Sequence, residues 1–125
     1  MSVPAELKYT ADHEWVRVEG DEIVIGVTDF AQGELGDVVF IEIETEGETL
    51  SKGEAFGTIE AVKTVSDLHM PLDGEVIEVN PTLEDTPELV NSEPFEGGWM
   101  IRVKMSDLSQ LDELMSANEY EALIG

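Results

Sequence analysis

The 125-residue chain contains no cysteine, so disulfide scaffolds, thiolate zinc sites and cysteine nucleophiles are excluded. Any thiol chemistry must come from an attached group. Basic residues are nearly as scarce. Lys and Arg number 6 against 29 Asp and Glu, for a formal net charge of −23. Six cations cannot neutralise a run of phosphates, which excludes nucleic-acid binding, and an anionic membrane would repel such a surface. No apolar run approaches the length of a membrane span. The first six residues, Met1 to Glu6, have neither the basic region nor the apolar stretch of a signal or transit peptide. The expected location is therefore cytoplasmic, or a mitochondrial matrix if a transit peptide had been removed. The two histidines, His13 and His69, show no metal-ligand spacing, so no metal site is expected. Calcium loops, phosphate loops and nucleophile elbows are all missing, and no residue set supports an enzyme.

What remains is a β-rich chain. Hydrophobic residues make up 42%, enough for one packed core, and a single domain over 1–125 is expected. The acidity reads mainly as a solvated, self-repelling surface that keeps the protein monomeric. A minor share of it serves to attract basic partners. Alternating β-branched and aromatic residues predict strands at His13–Val18, Glu22–Val27, Val38–Glu44, Glu54–Val62, Gly74–Val79 and Trp99–Met105. In Val38–Glu44, Val39, Ile41 and Ile43 are expected on one face and Phe40, Glu42 and Glu44 on the other. Thr28–Leu35 reads as a short helix with Gly36 as its stop. From Ser106 the period changes. Leu108, Leu111, Leu114 and Met115 suggest a helix, and the capping box Ser116-Ala117-Asn118-Glu119 opens another running to Ile124. The C-terminal stretch 106–124 is thus a helical extension docked on the sheet.

A weak repeat links Gly36-Asp37-Val38-Val39 with Gly74-Glu75-Val76-Ile77, followed by Gly53 and Gly97 respectively. The second copy carries an extra loop, best placed at Thr86–Pro94. Two such units facing each other predict a mainly β, flattened barrel-sandwich. The join between them, Ala61–Leu68, would be an exposed turn. It holds Lys63, one of four lysines, with Glu60 three residues before it and Asp67 four after. Taken alone, this window favours the usual role of such a residue, a solubilising turn lysine.

The wider pattern resembles the H protein of the glycine cleavage system over almost the whole chain. The blocks that carry the likeness are Tyr9–Val16, Ile25–Gln32, Leu35–Phe40, Glu60–Asp67, Pro71–Val76, Pro87–Asn91 and Pro94–Trp99. The resemblance implies a lipoyl/biotinyl-type fold and a lipoyl group in amide linkage to Lys63. Val62 and Thr64 replace the methionines that usually flank a biotinylated lysine. It also implies that modifying enzymes, a lipoate–protein ligase or lipoyl synthase, recognise Gly47, Glu60, Asp67 and Gly74. The acids would offer charge to a basic ligase and the glycines would permit tight turns that present the lysine. The implied role is a non-catalytic shuttle. It carries an aminomethyl group from a pyridoxal-phosphate glycine decarboxylase (P protein) to an aminomethyltransferase (T protein), and electrons to dihydrolipoyl dehydrogenase (L protein). Holding a cationic cargo calls for a cleft with an anion, and Glu14 is expected there, with Trp15 and Phe30 as apolar walls. The alternatives are an ordinary surface carboxylate for Glu14 and a core aromatic for Trp15. Two other readings of the chain are a lipoate or octanoate relay with the same Lys63 chemistry and a lipoyl domain of a 2-oxoacid dehydrogenase. No linker to such a catalytic domain is present, which counts against the second.

Overall fold

The computed structural model describes residues 3–124. In chain order the elements are β1 (Lys8–Tyr9), β2 (Glu14–Glu19), β3 (Glu22–Val27), α1 (Asp29–Leu35), β4 (Val38–Glu42), β5 (Thr49–Leu50), β6 (Ala55–Ala61), β7 (Val65–His69) and β8 (Gly74–Val79). They continue with α2 (Thr82–Asp85), α3 (Leu89–Ser92), β9 (Ile101–Met105), a 3₁₀ segment (Leu108–Glu113) and α4 (Ala117–Ile124). Strands order as β1-β2-β3-β9-β8-β5 in a six-stranded antiparallel sheet and β4-β6-β7 in a three-stranded one. Neither closes into a barrel. Among the described residues no helix is long and apolar enough to cross a membrane.

Period-two alternation sends the sides of β2 and β3 into different cores. Val16, Ile23 and Ile25 enter the main core between the sheets, with Ile41, Phe56, Ile59 and Val103. Trp15 and Val24 face a second cluster on the outer side of the large sheet, with Leu7, Tyr9, Ala117 and Tyr120. Gly26 lies directly across from Trp15, and a Cβ there would sit 2.7 Å from the indole. The indole Nε1 donates to the Pro94 carbonyl at 2.7 Å. Helix α4 covers this cluster, stacking Tyr120 on Tyr9 at 4.7 Å between ring centroids. The capping box forms reciprocally: Ser116 N donates to Glu119 Oε1 and Glu119 N to Ser116 Oγ.

The repeat survives as geometry. Three residues after each repeat glycine the strand register shifts by one, leaving Val39 unopposed in β4 and Ile77 unopposed in β8. Each copy thus contributes an antiparallel pair with a bulge at the same place, β4–β6 to the small sheet and β8–β9 to the large one. The bulge corrects the expected facing of β4. Ile41 is buried and Ile43 half-buried, but Val39 is turned out beside Phe40, both 49% exposed. A bulge sets two residues against one, so alternation fails at that point.

Three further boundaries differ from expectation. The join 61–68 is mostly strand, with β7 pairing along β6 and only 62–64 left as the turn. The loop 86–94 contains α3. The segment after Ser106 is 3₁₀ rather than α-helical, which suits its leucines. Leu108, Leu111 and Leu114 recur every three residues, the 3₁₀ period. Leu111 and Leu114 pack on the core while Leu108 is exposed.

Candidate functional site

Lys63 occupies the tip of the β6–β7 hairpin and is exposed. The tip is short and fixed. Ala61 N donates to Thr64 O at 2.8 Å, closing the turn, and Val62 N donates to Asp37 O at 2.9 Å, docking it on the segment after α1. The lysine stem runs over Gly36, where a Cβ would lie 3.4 Å from Lys63 Cε. Gly36 also has φ +79°, a conformation that favours glycine. Among the described residues no carboxylate comes within ion-pair distance of the Lys63 ammonium, in contrast to Lys52, paired with Glu113, and Arg102, paired with Glu19, Glu22 and Glu78.

The Gly36–Val38 segment is held by Asn91 of α3. Asn91 Oδ1 accepts from Val38 N at 2.8 Å, and Nδ2 donates to Gly36 O at 2.8 Å and to Gln32 Oε1 at 3.0 Å. Sequence reasoning missed this role. The one available signal was Asn91's place at the end of the Pro87–Asn91 block, inside the extra loop of the second repeat.

Beside the hairpin lies a cleft of about 410 Å³ between α1 and β7. Phe30, Ala31 and Leu35 form one wall, Ser66, Asp67 and Leu68 the other, and Val27 and Ile59 the floor. Glu14 closes one end. It is the first residue of β2 and points the same way as Val16, toward the core, which is why a carboxylate is only 3% exposed. His69 N donates to Glu14 Oε2 at 2.9 Å, and Oε1 is buried without a hydrogen-bond partner. Desolvation pushes the Glu14 carboxyl up to about 8, outweighing the His69 hydrogen bond, which acts in the opposite direction. A buried, half-satisfied carboxyl in a cleft is the expected mark of a ligand-binding residue.

His13, at the same end, has φ +66°, uncommon for a non-glycine residue. Its Nδ1 is 2.9 Å from the Tyr120 hydroxyl, which is 2.7 Å from Thr28 Oγ1, and its ring lies 4.8 Å from Phe30. Thr28 also caps α1, accepting from Ala31 N. The terminal helix is thereby latched to the cleft wall.

The structure brings Glu14, Phe30 and Asp67 together at the cleft. Trp15 is not with them. Neighbouring residues of a strand face opposite ways, so Trp15 is a core aromatic of the outer cluster, with the Arg17 guanidinium 5.3 Å above its ring. Glu60 is exposed on β6, three residues from Lys63. The two glycines expected to take part in recognition are not in the lysine turn. Gly47 turns the β4–β5 connection at φ +90°, its N donating to Val76 O. Gly74 opens β8 against β9, where a Cβ would come within 2.4 Å of Val103 Cγ1 and 2.6 Å of Lys104 O. Gly74→Ala is therefore expected to lower unfolding free energy by about 1–3 kcal/mol through overpacking. Denaturant melts check this, and an unchanged midpoint would return Gly74 to a purely recognition role. Among the described residues no group of His, Asp and Glu is arranged to hold a metal.

Two quasi-symmetric β units, sandwiched and carrying a tip lysine where they join, define a lipoyl/biotinyl-type barrel-sandwich domain. Comparison with known proteins narrows the class. The family model for the glycine cleavage H-protein matches residues 7–125. The chain is 54% identical over 125 residues to a glycine cleavage system H protein from Staphylococcus carnosus, covering 100% of this chain and 99% of the relative. It is 55% identical over 124 residues to the one from Brevibacillus brevis, covering 99% and 98%. The crystal structure of a glycine cleavage system H protein from Mycobacterium marinum superposes with a TM-score of 0.90 at 38% identity, over 98% of this chain and 99% of that one. The chain belongs to the glycine cleavage H-protein family.

Proposed function

We propose that this chain is the lipoyl-bearing shuttle of the glycine cleavage system, with the arm amide-linked to Lys63. It passes aminomethyl cargo from the P protein to the T protein and electrons to the L protein. It is a single carrier domain that stays monomeric and works in the cytoplasm, and it performs no bond chemistry of its own. The observation that carries the reading is the pairing of an exposed tip lysine, without an ion-pair partner among the described residues, with an adjacent cleft that ends in a buried, half-satisfied carboxyl.

The residues present suit a lipoyl arm. Phe30, Ala31 and Leu35 with the Val27 and Ile59 floor give the cleft an apolar side, as a hydrocarbon arm needs, and the unpartnered Glu14 Oε1 can accept from an ammonium at the arm's end. When attached, the lipoyl group supplies the disulfide–dithiol couple. Everything else belongs to the protein. Val62 and Ala61 amides fix the lysine in space, which sets a high local concentration of the arm at each enzyme. Phe30, Leu35 and Leu68 exclude water from an arm folded into the cleft. A cation near Glu14 favours the ionised carboxylate and replaces the hydrogen bond its Oε1 lacks, so cargo and carboxylate stabilise each other. A lipoate relay has no use for such a buried carboxyl, which favours the shuttle.

The direct test is peptide mass after incubation with lipoic acid, ATP and a lipoate–protein ligase. A single lipoyl adduct on Lys63 is expected, absent from Lys63→Ala, with glycine decarboxylation abolished in that variant. Adducts on Lys8, Lys52 or Lys104 instead would refute the assignment.

A further inference from the structure

The ring and the hydroxyl of Tyr120 serve different parts of the molecule. The ring is fully buried and anchors α4 in the outer cluster by stacking on Tyr9. Phenylalanine would stack as well. The hydroxyl leaves that cluster. It lies 2.7 Å from Thr28 Oγ1, at the N-cap of α1, and 2.9 Å from His13 Nδ1, at the end of the cleft. What the hydroxyl adds is therefore felt at those two residues.

His13 is where the contact matters. Its φ of +66° costs free energy for any residue with a Cβ. Such a conformation persists only where the surroundings over-determine it. His13 N donates to Thr10 O at 3.1 Å, and Thr28 N donates to His13 O at 3.0 Å. The imidazole lies against Phe30, and Tyr120 engages its Nδ1. Thr28 thus grips His13 twice, once by its own amide and once through Tyr120. The residue that follows is Glu14. With His13 left-handed the turn closes, Thr10 Oγ1 accepts from Glu14 N at 3.2 Å, and the Glu14 side chain enters the cleft to meet His69 N. An extended His13 would rotate Glu14 out of that position.

Resting on the Glu14 reading above, we infer that Tyr120 and His13 are positioning residues for cargo retention. The hydroxyl locks His13 in its left-handed conformation, and His13 aims Glu14 into the cleft. The two are 107 residues apart in sequence, and no residue of α4 lines the cleft. The terminal helix therefore acts on the cargo only through Glu14.

Three variants separate the parts. Tyr120→Phe keeps the stack and deletes the hydroxyl. His13→Asn and His13→Val both delete the imidazole, but Asn tolerates a positive φ and a β-branched residue does not. In the unmodified chain, amide exchange at His69 reports whether Glu14 still accepts from it. Exchange there is expected to rise about 3–10-fold in Tyr120→Phe, the range for one neutral hydrogen bond, and further in His13→Val than in His13→Asn. Exchange at Met100, whose N donates to Ile25 O in the large sheet, should not change. In the lipoylated chain loaded with aminomethyl cargo by glycine decarboxylase, cargo loss should quicken by similar factors. These increases should vanish where Glu14→Gln is already present, because the charge they position is gone. Unchanged protection at His69 in Tyr120→Phe overturns the inference and leaves Glu14 as the cargo residue. Equal effects of His13→Asn and His13→Val overturn the backbone lock. Equal gains at His69 and Met100, or cargo-loss effects that persist alongside Glu14→Gln, make both residues general stabilisers and overturn it too. Loss of cargo from Glu14→Gln at the wild-type rate overturns the Glu14 reading itself. If melts show that His13→Val does not fold, Tyr120→Phe decides alone.

Discussion

Glu14→Gln is expected to speed the loss of aminomethyl cargo from the loaded arm by about 10–100-fold. A hydrogen bond to a charged group contributes about 1.5–3 kcal/mol, and about 1.4 kcal/mol corresponds to a factor of ten. The amide keeps the shape of the carboxyl and the acceptor for His69 N, so the cleft survives while its charge does not. The rate of cargo loss from purified loaded protein, followed as free amine, measures this. A wild-type rate in the variant would remove Glu14 from the mechanism.

The same substitution has a signature in the unloaded protein. The folded-state carboxyl titrates near 8, against an ordinary 4.5. A raised value means that the fold favours the neutral form. That preference contributes fully to stability below about pH 4.5 and is lost as pH rises through about 8. At about 1.4 kcal/mol per pKa unit, the loss amounts to several kcal/mol at most. Glu14→Gln should therefore match wild type near pH 4 and exceed its unfolding free energy at pH 9. Equal pH profiles would contradict the burial argument. On the reading proposed above, the cost of this buried carboxyl is offset only when a cation from the loaded arm reaches it.

The second large effect is expected at Asn91. Asn91→Ala removes three hydrogen bonds and leaves Val38 N and Gly36 O without their partner. Unpaired, partly buried backbone groups cost about 1–3 kcal/mol each, so a loss of about 2–4 kcal/mol in unfolding free energy is expected. The damage should be local as well as global. The Gly36–Val38 segment holds the lysine turn through Asp37 O, so amide exchange at Val62 should rise more than at Ile59, in the centre of β6. Acylation of Lys63 should slow in parallel. Uniform acceleration at both amides would reduce Asn91 to a general stabiliser.

How much of this was legible follows from the kind of signal each part leaves. Strands β3 and β8 were read to the residue because alternation, turn residues and flanking glycines agree there. Helix α1 was nearly as clear: Gly36 was read as its stop, while its cap lay between Thr28 and Asp29 until the structure showed Thr28 Oγ1 accepting from Ala31 N. Strand β7 was lost because Val65-Ser66-Asp67-Leu68-His69 is a short edge strand with one buried side chain, and exposure on both faces erases the alternation. A bulge leaves no periodic trace, so Val39 was assigned to the wrong face. Lys63 was singled out by family resemblance rather than by local chemistry, since its window alone reads as a surface turn. Glu14 was named for the need to hold a cation, but the same argument drew in Trp15, which strand geometry forbids. Asn91 was invisible in kind. Its function is a set of backbone hydrogen bonds across 53 and 55 residues of sequence, and no local pattern announces those.

The docked hairpin has a mechanical meaning. With Val62 N tied to Asp37 O and the lysine stem resting on Gly36, the base of any arm is a stationary fulcrum rather than a loose tether. All sweep must then come from the rotatable bonds beyond the backbone. The arm's tip is confined to a sphere about one fixed point, with the extended arm as its radius. Enzymes that share it must each place a catalytic pocket within that reach, and they can do so only one at a time. Turn-taking among the partners is thus enforced by the geometry of the pivot, without any conformational change in the carrier.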